Sequence, residues 1–183
     1  YMKVVLDVEN TVTKRDGKLH LDPYESTNSL VMISIQVEGE EPKHYTFDHI
    51  EYDCKYEYRK QDCDEIQAIL DKTTLLIGHN INHDLLWIWE TGFKYDGPVW
   101  DTMLAEYLLQ RAQKQPLSLE AVAERRDLPF KKQDTLKNYM KQGMSIDAIP
   151  YEELKEYLYA DLQTTFSLYY EQNLDYRDDV NRI

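Results

Sequence analysis

The sequence predicts an α/β fold: a mixed sheet of about five strands, the first three antiparallel, flanked by helices. Two patterns carry this. Three strand-like runs come first, joined by connections short enough for antiparallel pairing, and strands then alternate with helical patterns. The length, 183 residues with 42% apolar content, suits one sizeable domain with a real core.

The first run, Lys3-Val4-Val5-Leu6-Asp7-Val8-Glu9-Asn10-Thr11, reads as a buried strand that ends in acid. Alternation puts Val4, Leu6 and Val8 on one face and Val5, Asp7 and Glu9 on the other. Two close buried carboxylates repel, and each loses its hydration. A divalent metal ion would solve both problems. The plainer alternative is a solvated loop start, and Asp-x-Glu alone is a weak signal.

Asn10 to Ser29 is polar, with Gly17 and Pro23, and reads as a loop. Leu30–Val37 is a second strand, Gly39 marks a turn, and Lys43–Asp48 is a third strand. Glu51–Lys60 is charged and tyrosine-rich without a period, which reads as loop. Asp62 or Asp64 caps the next helix, with Ile66, Ile69 and Leu70 on its inner side. Thr74–Gly78 is a short buried strand, and a helix starts near Asn82 with Leu85, Leu86, Ile88 and Trp89. Pro98–Asp101 is one more strand. Helices follow at about 102–110, 117–126 and 135–142. A long one runs from about Tyr151 to Gln172, with Pro150 before it and Glu152 and Glu153 in its first turn. The charged stretch 175–183 carries no core pattern and reads as a tail or linker.

Two further acidic positions matter. Gly78-His79-Asn80-Ile81-Asn82-His83-Asp84 lies at a strand-to-helix turn, where α/β proteins place ligands. Asn80 or Asn82 as a helix cap, with Asp84 favouring the positive helix end, is the structural alternative. In the last helix Tyr157 and Asp161 are four apart and stack on one face. The core stripe is Leu154, Leu158, Leu162, Phe166 and Tyr169, so the Tyr157/Asp161 stripe runs about 100° to its side, along the edge of the core.

The net charge of −13 argues against general attraction to nucleic acid. Charge is uneven, however. Arg111–Lys141 holds eight Lys/Arg against four acids, +4, which leaves −17 for the rest. This segment is either an ordinary solvated surface or a phosphate-facing patch that includes Lys131 and Lys132. Cys54 and Cys63 lack zinc spacing and read as thiols of a reducing compartment. No apolar run approaches membrane-spanning length and no signal-peptide pattern opens the chain, so a cytoplasmic protein without membrane partners is expected.

Asp7-x-Glu9, Asn80-x-x-x-Asp84 and Tyr157-x-x-x-Asp161, in that order and spacing, resemble the three exonuclease motifs of the DEDD superfamily. The tyrosine resembles the DEDDy branch, which includes the proofreading domains of family A DNA polymerases, bacterial or phage. The likeness runs from Met2 to about Tyr170. The sister branch has His in place of the tyrosine, and none of the five histidines lies near Asp161 in the sequence. His83 departs from the pattern, because the family usually carries Phe or Tyr before the second-motif Asp. The basic segment and the run from Gly143 to Ile149-Pro150 look like phage-type proofreading domains.

The resemblance implies an RNase H-like (DnaQ-like exonuclease) fold over residues 1–174, with 175–183 leading toward a polymerase domain. It implies catalysis by Asp7, Glu9, Asp84, Tyr157 and Asp161, the four acids holding two divalent ions. Carboxylates without convergent His or Cys favour Mg²⁺ or Mn²⁺ over zinc. Asp7 would bridge both ions, Glu9 and Asp161 complete the first, Asp84 hold the second, and Tyr157 orient the attacking water. Asn10, Thr11 and Asn80 are the implied substrate contacts. The implied activity is release of nucleoside 5′-monophosphates from single-stranded or frayed DNA 3′ ends, in proofreading for a polymerase domain or subunit. The alternatives are an RNA-trimming exonuclease of the same superfamily and a non-catalytic nucleic-acid- or partner-binding domain.

Overall fold

The computed structural model describes residues 1–52, 56–111, 113–130 and 134–181. In chain order the strands are β1 (Lys3–Asn10), β2 (Thr13–Arg15), β3 (Lys18–His20), β4 (Leu30–Val37), β5 (Lys43–Thr46), β6 (Leu75–Gly78) and β7 (Val99–Asp101). The helices are α1 (Tyr56–Lys72), α2 (Ile81–Thr91), α3 (Thr102–Leu109), α4 (Leu119–Arg125), α5 (Asp134–Lys141) and α6 (Tyr151–Asn181). The main sheet has the order β5-β4-β1-β6-β7. β1 pairs antiparallel with β4 and parallel with β6, β4 pairs antiparallel with β5, and β6 runs parallel to β7. The expected mixed five-stranded sheet is therefore the one observed.

β1 is central because both its faces are apolar until its last residues. Val4, Leu6 and Val8 pack with Ile66 and Leu70 of α1 and Ile81, Leu85 and Ile88 of α2. Val5 on the other face meets Ile77 of β6 and Leu162, Phe166 and Tyr169 of α6. Val31 and Met32 of β4 meet Leu154 and Leu158 of α6. Burying each such side chain stabilises the fold by roughly 1.5–3 kcal/mol. At the Glu9–Asn10 step the β1–β4 register shifts, leaving Val31 as an extra residue on β4. A bulge of this kind re-aims side chains at a strand end.

Three expectations are corrected. Asn10–Ser29 is not only loop: β2 and β3 form a hairpin there. Its turn is Asp16-Gly17, with φ of 53° and 75°. Two successive left-handed residues make the tight turn that matches strand twist, and Asp-Gly favours it. Glu51–Lys60 is not all loop either, because α1 starts at Tyr56, so Asp62 and Asp64 are interior rather than caps. Finally, α6 does not stop near Gln172 but runs 31 residues to Asn181. Its last turns are held by polar contacts: Arg126 to Asp175 at 2.9 Å, Arg111 to Asp179 at 2.9 Å, and Tyr176 Oη donating to Ala105 O at 3.1 Å. Cys54, Lys131 and Lys132 lie outside the described residues.

Candidate active site

The site forms where β1, α2 and α6 meet at one end of the sheet. Asp7 and Glu9 leave the β1 face that looks at α6, and Asp161 reaches them from α6. Ligating oxygens of these three acids all lie within 4.8 Å of one another. Asp84 enters from the first turn of α2 and is buried, with Oδ1 accepting from Val8 N at 3.3 Å. Tyr157 stands one helical turn before Asp161, half-buried, and its hydroxyl hydrogen-bonds to the Asp161 side chain. The structure thus brings together the five residues expected to act.

The local reasons are visible in each element. Leu158 and Leu162 are fully buried and fix the rotation of α6, so Tyr157 and Asp161 fall on the flank facing the cleft. A Cβ on Gly78 would sit 3.2 Å from Leu6 O and 2.5 Å from Ile81 Cδ1. A side chain there would have to displace Ile81 and press on Leu6 O, so glycine suits the close approach of β6 to β1 before α2. Asn80 then adopts the left-handed conformation, φ 63°, with no side-chain cap bond, and Asp101 Oδ1 accepts from Asn80 N at 2.8 Å. Asp101 also caps α3 by accepting from Met103 N at 3.0 Å.

The acids sit in an unfavourable field. Burial, and then the charge of Asp161, holds the Asp7 carboxyl well above the usual carboxylate range, against one backbone hydrogen bond from Val8. Burial raises Glu9, with Asp7 and Asp161 adding to it. Asp84 is raised by burial and then by Asp7. Burial and the charges of Asp161, Glu9 and Asp7 push the Tyr157 phenol far above its ordinary value. Carboxylates gathered this closely are what a divalent ion stabilises. The donor set is all oxygen. The two histidines of the cleft are committed elsewhere: His79 bonds Thr102 Oγ1 and Leu117 O, and His83 Nε2 bonds Asn10 Oδ1 at 2.8 Å. The residues fit Mg²⁺ or Mn²⁺.

The expected substrate contacts divide. Asn80 is exposed and lines the cleft. Asn10 lines it too, but its amide is fully engaged: Oδ1 with His83, and Nδ2 donating to Thr11 O and Leu21 O at 2.8 and 3.0 Å. An amide oxygen only accepts, so the His83 ring donates to Asn10 Oδ1 from Nε2, and burial lowers the His83 pKa. Thr11 is buried, with its hydroxyl accepting from Ser29 N at 2.8 Å. Asn10 and Thr11 therefore brace the cleft wall. In the basic segment, Arg111, Arg125, Arg126 and Lys137 are each paired with acids, which leaves Lys114 and Lys141 among its described cations. Sequence reasoning missed the far wall, where Met140, Met144 and Ile146 face a cleft of about 690 Å³. It also missed the hairpin residues Val12, Lys14 and Leu21 on the near wall. The Asp16-Gly17 pair was the signal that could have located the hairpin.

An acid-lined cleft at the end of a mixed RNase H-like sheet, with a tyrosine beside the acids, defines a metal-dependent nuclease class. A family model for the DNA polymerase A exonuclease domain, described as 3′-5′ exonuclease, matches residues 19–174. The chain belongs to this 3′-5′ exonuclease family. Among solved structures, Brucella melitensis NrnC with bound Mg²⁺ is similar, with a TM-score of 0.62 at 16% identity, over 97% of this chain and 74% of that one. NrnC bound to pGG gives a TM-score of 0.62 at 18% identity with the same coverage. A structure described as the apo form of a nuclease gives 0.63 at 13%, again over 97% and 74%. These are likenesses of fold. No curated protein sequence matches the chain. Among the described residues no helix is long and apolar enough to cross a membrane.

Proposed function

We propose that the protein removes nucleoside 5′-monophosphates one at a time from single-stranded or frayed DNA 3′ ends. The convergence of Asp7, Glu9 and Asp161, with Tyr157 bonded to Asp161, carries this reading. Asp7, Glu9 and Asp161 would hold one divalent ion, and Asp7 with Asp84 a second. When bound, such ions acidify the attacking water and neutralise the leaving 3′ oxygen. The chain's own residues do the rest. The Tyr157 phenol stays protonated at neutral pH, so it orients water by a hydrogen bond rather than acting as a base. The Asn10–His83 bond ties the end of β1 to α2, and the Asp101–Asn80 bond ties the end of β7 to the start of α2, so both hold the elements that carry the acids. Water oxygen bonds to phosphorus, the P–O3′ bond breaks, and the shortened strand keeps its 3′ hydroxyl.

The family match to a polymerase exonuclease supports a proofreading role, in which a polymerase domain or subunit delivers the frayed end. The likeness to NrnC, solved bound to pGG, supports a second reading, an RNA-trimming exonuclease of the same superfamily. One experiment separates them. Single-stranded DNA, RNA and dinucleotides, all 5′-labelled, are incubated with Mg²⁺ or EDTA. The first reading expects an EDTA-sensitive ladder of single-nucleotide steps, fastest on long DNA and faster on mismatched than matched primer ends. Preference for RNA or dinucleotides would favour the second. Cleavage that survives EDTA would overturn both.

A further inference from the structure

Among the described residues lining the cleft, Lys14 is the only Lys or Arg. It is exposed and pairs with no acid among the described residues, whereas its neighbour Arg15 is held by Glu25 at 3.0 Å. The hairpin explains the difference. Lys14 pairs with Leu19, and Thr13 and Arg15 pair with His20 and Lys18. Opposed residues share a face and successive ones alternate. Thr13 and Arg15 look toward 22–28, where they bond Thr27, Asn28 and Glu25. Lys14 and Leu19 look the other way, and Lys14 reaches the cleft. Leu19 is 63% exposed, and cleft-lining Leu21 is 47% exposed.

The hairpin is a braced platform. Asn28 Nδ2 donates to His20 O at 2.9 Å, and Leu21 O accepts from both Asn10 Nδ2 and Trp87 Nε1 at 3.0 Å. Lys14 lies on β2, five residues past Glu9 and beyond the end of β1 that carries the acids. A cation beside exposed leucines is the chemistry that takes a phosphate together with its base.

We propose that the β2–β3 hairpin anchors the bound strand, with Lys14 taking a backbone phosphate away from the scissile bond and Leu19 and Leu21 lying against the adjoining nucleotide. This rests on the exonuclease reading for its substrate. It assigns a strand contact to the hairpin.

The test compares Lys14→Gln, Lys14→Arg and Lys18→Gln, the last on the face turned from the cleft. Two readouts are used: steady-state cleavage of a 5′-labelled oligonucleotide, and anisotropy of a hydrolysis-resistant phosphorothioate strand titrated with salt. Lys14→Gln should raise KM and Kd about fivefold while kcat changes less than twofold, as for one exposed charge contact of about 1 kcal/mol. It should flatten the slope of log Kd against log salt by about 0.7. Lys14→Arg should restore both, and Lys18→Gln should match wild type. An unchanged slope in Lys14→Gln, or an equal effect of Lys18→Gln, overturns the proposal. Wild type that binds with a Lys14-dependent slope but does not cleave would overturn the exonuclease reading and leave the anchor standing. Wild type that neither binds nor cleaves overturns both.

Discussion

Asp161 and Tyr157 share one flank of α6 and differ in what they offer. Asp161 brings a carboxylate into the cluster with Asp7 and Glu9, whereas Tyr157 brings a phenol that burial keeps protonated. Removing the hydroxyl in Tyr157→Phe preserves the ring and its packing and deletes its bond to the Asp161 side chain together with the one that would orient water. It should lower kcat by roughly 10- to 100-fold, with KM and the Mg²⁺ requirement nearly unchanged. Asp161→Asn removes a ligand and should cost far more and raise the Mg²⁺ needed for half-maximal rate. Parallel Mg²⁺ titrations of the two variants check the ranking, and equal damage from both would end the orienting role. These residues were legible in the sequence because their spacing is local: i and i+2 on a strand, i and i+4 on a helix. The commitments of Asn10 and Thr11 were not, since His83, Leu21 and Ser29 reach them across 11 to 73 positions of chain.

At the scale of elements, α3, α4 and α6 carry buried Ala105, Val122, Ala123 and Leu168 and are also joined by charge. Arg126, at the end of α4, bonds Glu106 of α3 at 3.0 Å and Glu171 and Asp175 of α6 at 3.3 and 2.9 Å. Glu106 is buried and also takes Gln172 Nε2 at 3.2 Å. This explains why the apolar pattern of α6 fades near Gln172 while the helix continues. Leu174 and Val180 are exposed, and the extra turns are fastened by Asp175, Tyr176 and Asp179. No periodicity in the sequence announces such pairs, whereas the strands and the core stripe of α6 follow directly from theirs. The start of α1 escaped reading for a related reason, since its first turns are polar. Arg126→Met should leave Glu106 buried with only Arg125 at 3.6 Å and Gln172 near it. The expected cost is about 2–3 kcal/mol, or a Tm lower by roughly 4–12 °C. Glu106→Gln in the same chain should recover part of it. A melt within 1 °C of wild type for Arg126→Met would show that the cluster is surface decoration.

Across the whole molecule, the acids that make the site also set how stability responds to pH and metal. A carboxyl raised in the folded state holds its proton over a pH range in which the unfolded chain has released it. The folded state then binds more protons, and stability falls as pH rises from the ordinary carboxylate range, about pH 4, through the raised values. Asp7, Glu9 and Asp84 are all raised, and Asp7 acts on both others. With a net charge of −13 the rest of the chain adds its own pH dependence, so the difference between two proteins is the informative quantity. Metal-free wild type should lose more Tm between pH 5.5 and 7.5 than metal-free Asp7→Asn does, by roughly 4–8 °C. At pH 7.5 the variant should melt higher than wild type without metal while having lost turnover. Mg²⁺ should reverse that order. Saturation at 100 times Kd stabilises wild type by about 2.7 kcal/mol, and the gain shrinks at pH 5.5, where protons compete for the same oxygens. NaCl at matched ionic strength separates ligation from general screening of the negative surface. Equal pH slopes for the two proteins, or equal stabilisation of both by Mg²⁺, would mean that Asp7 does not couple the acids and would remove it from the bridging position.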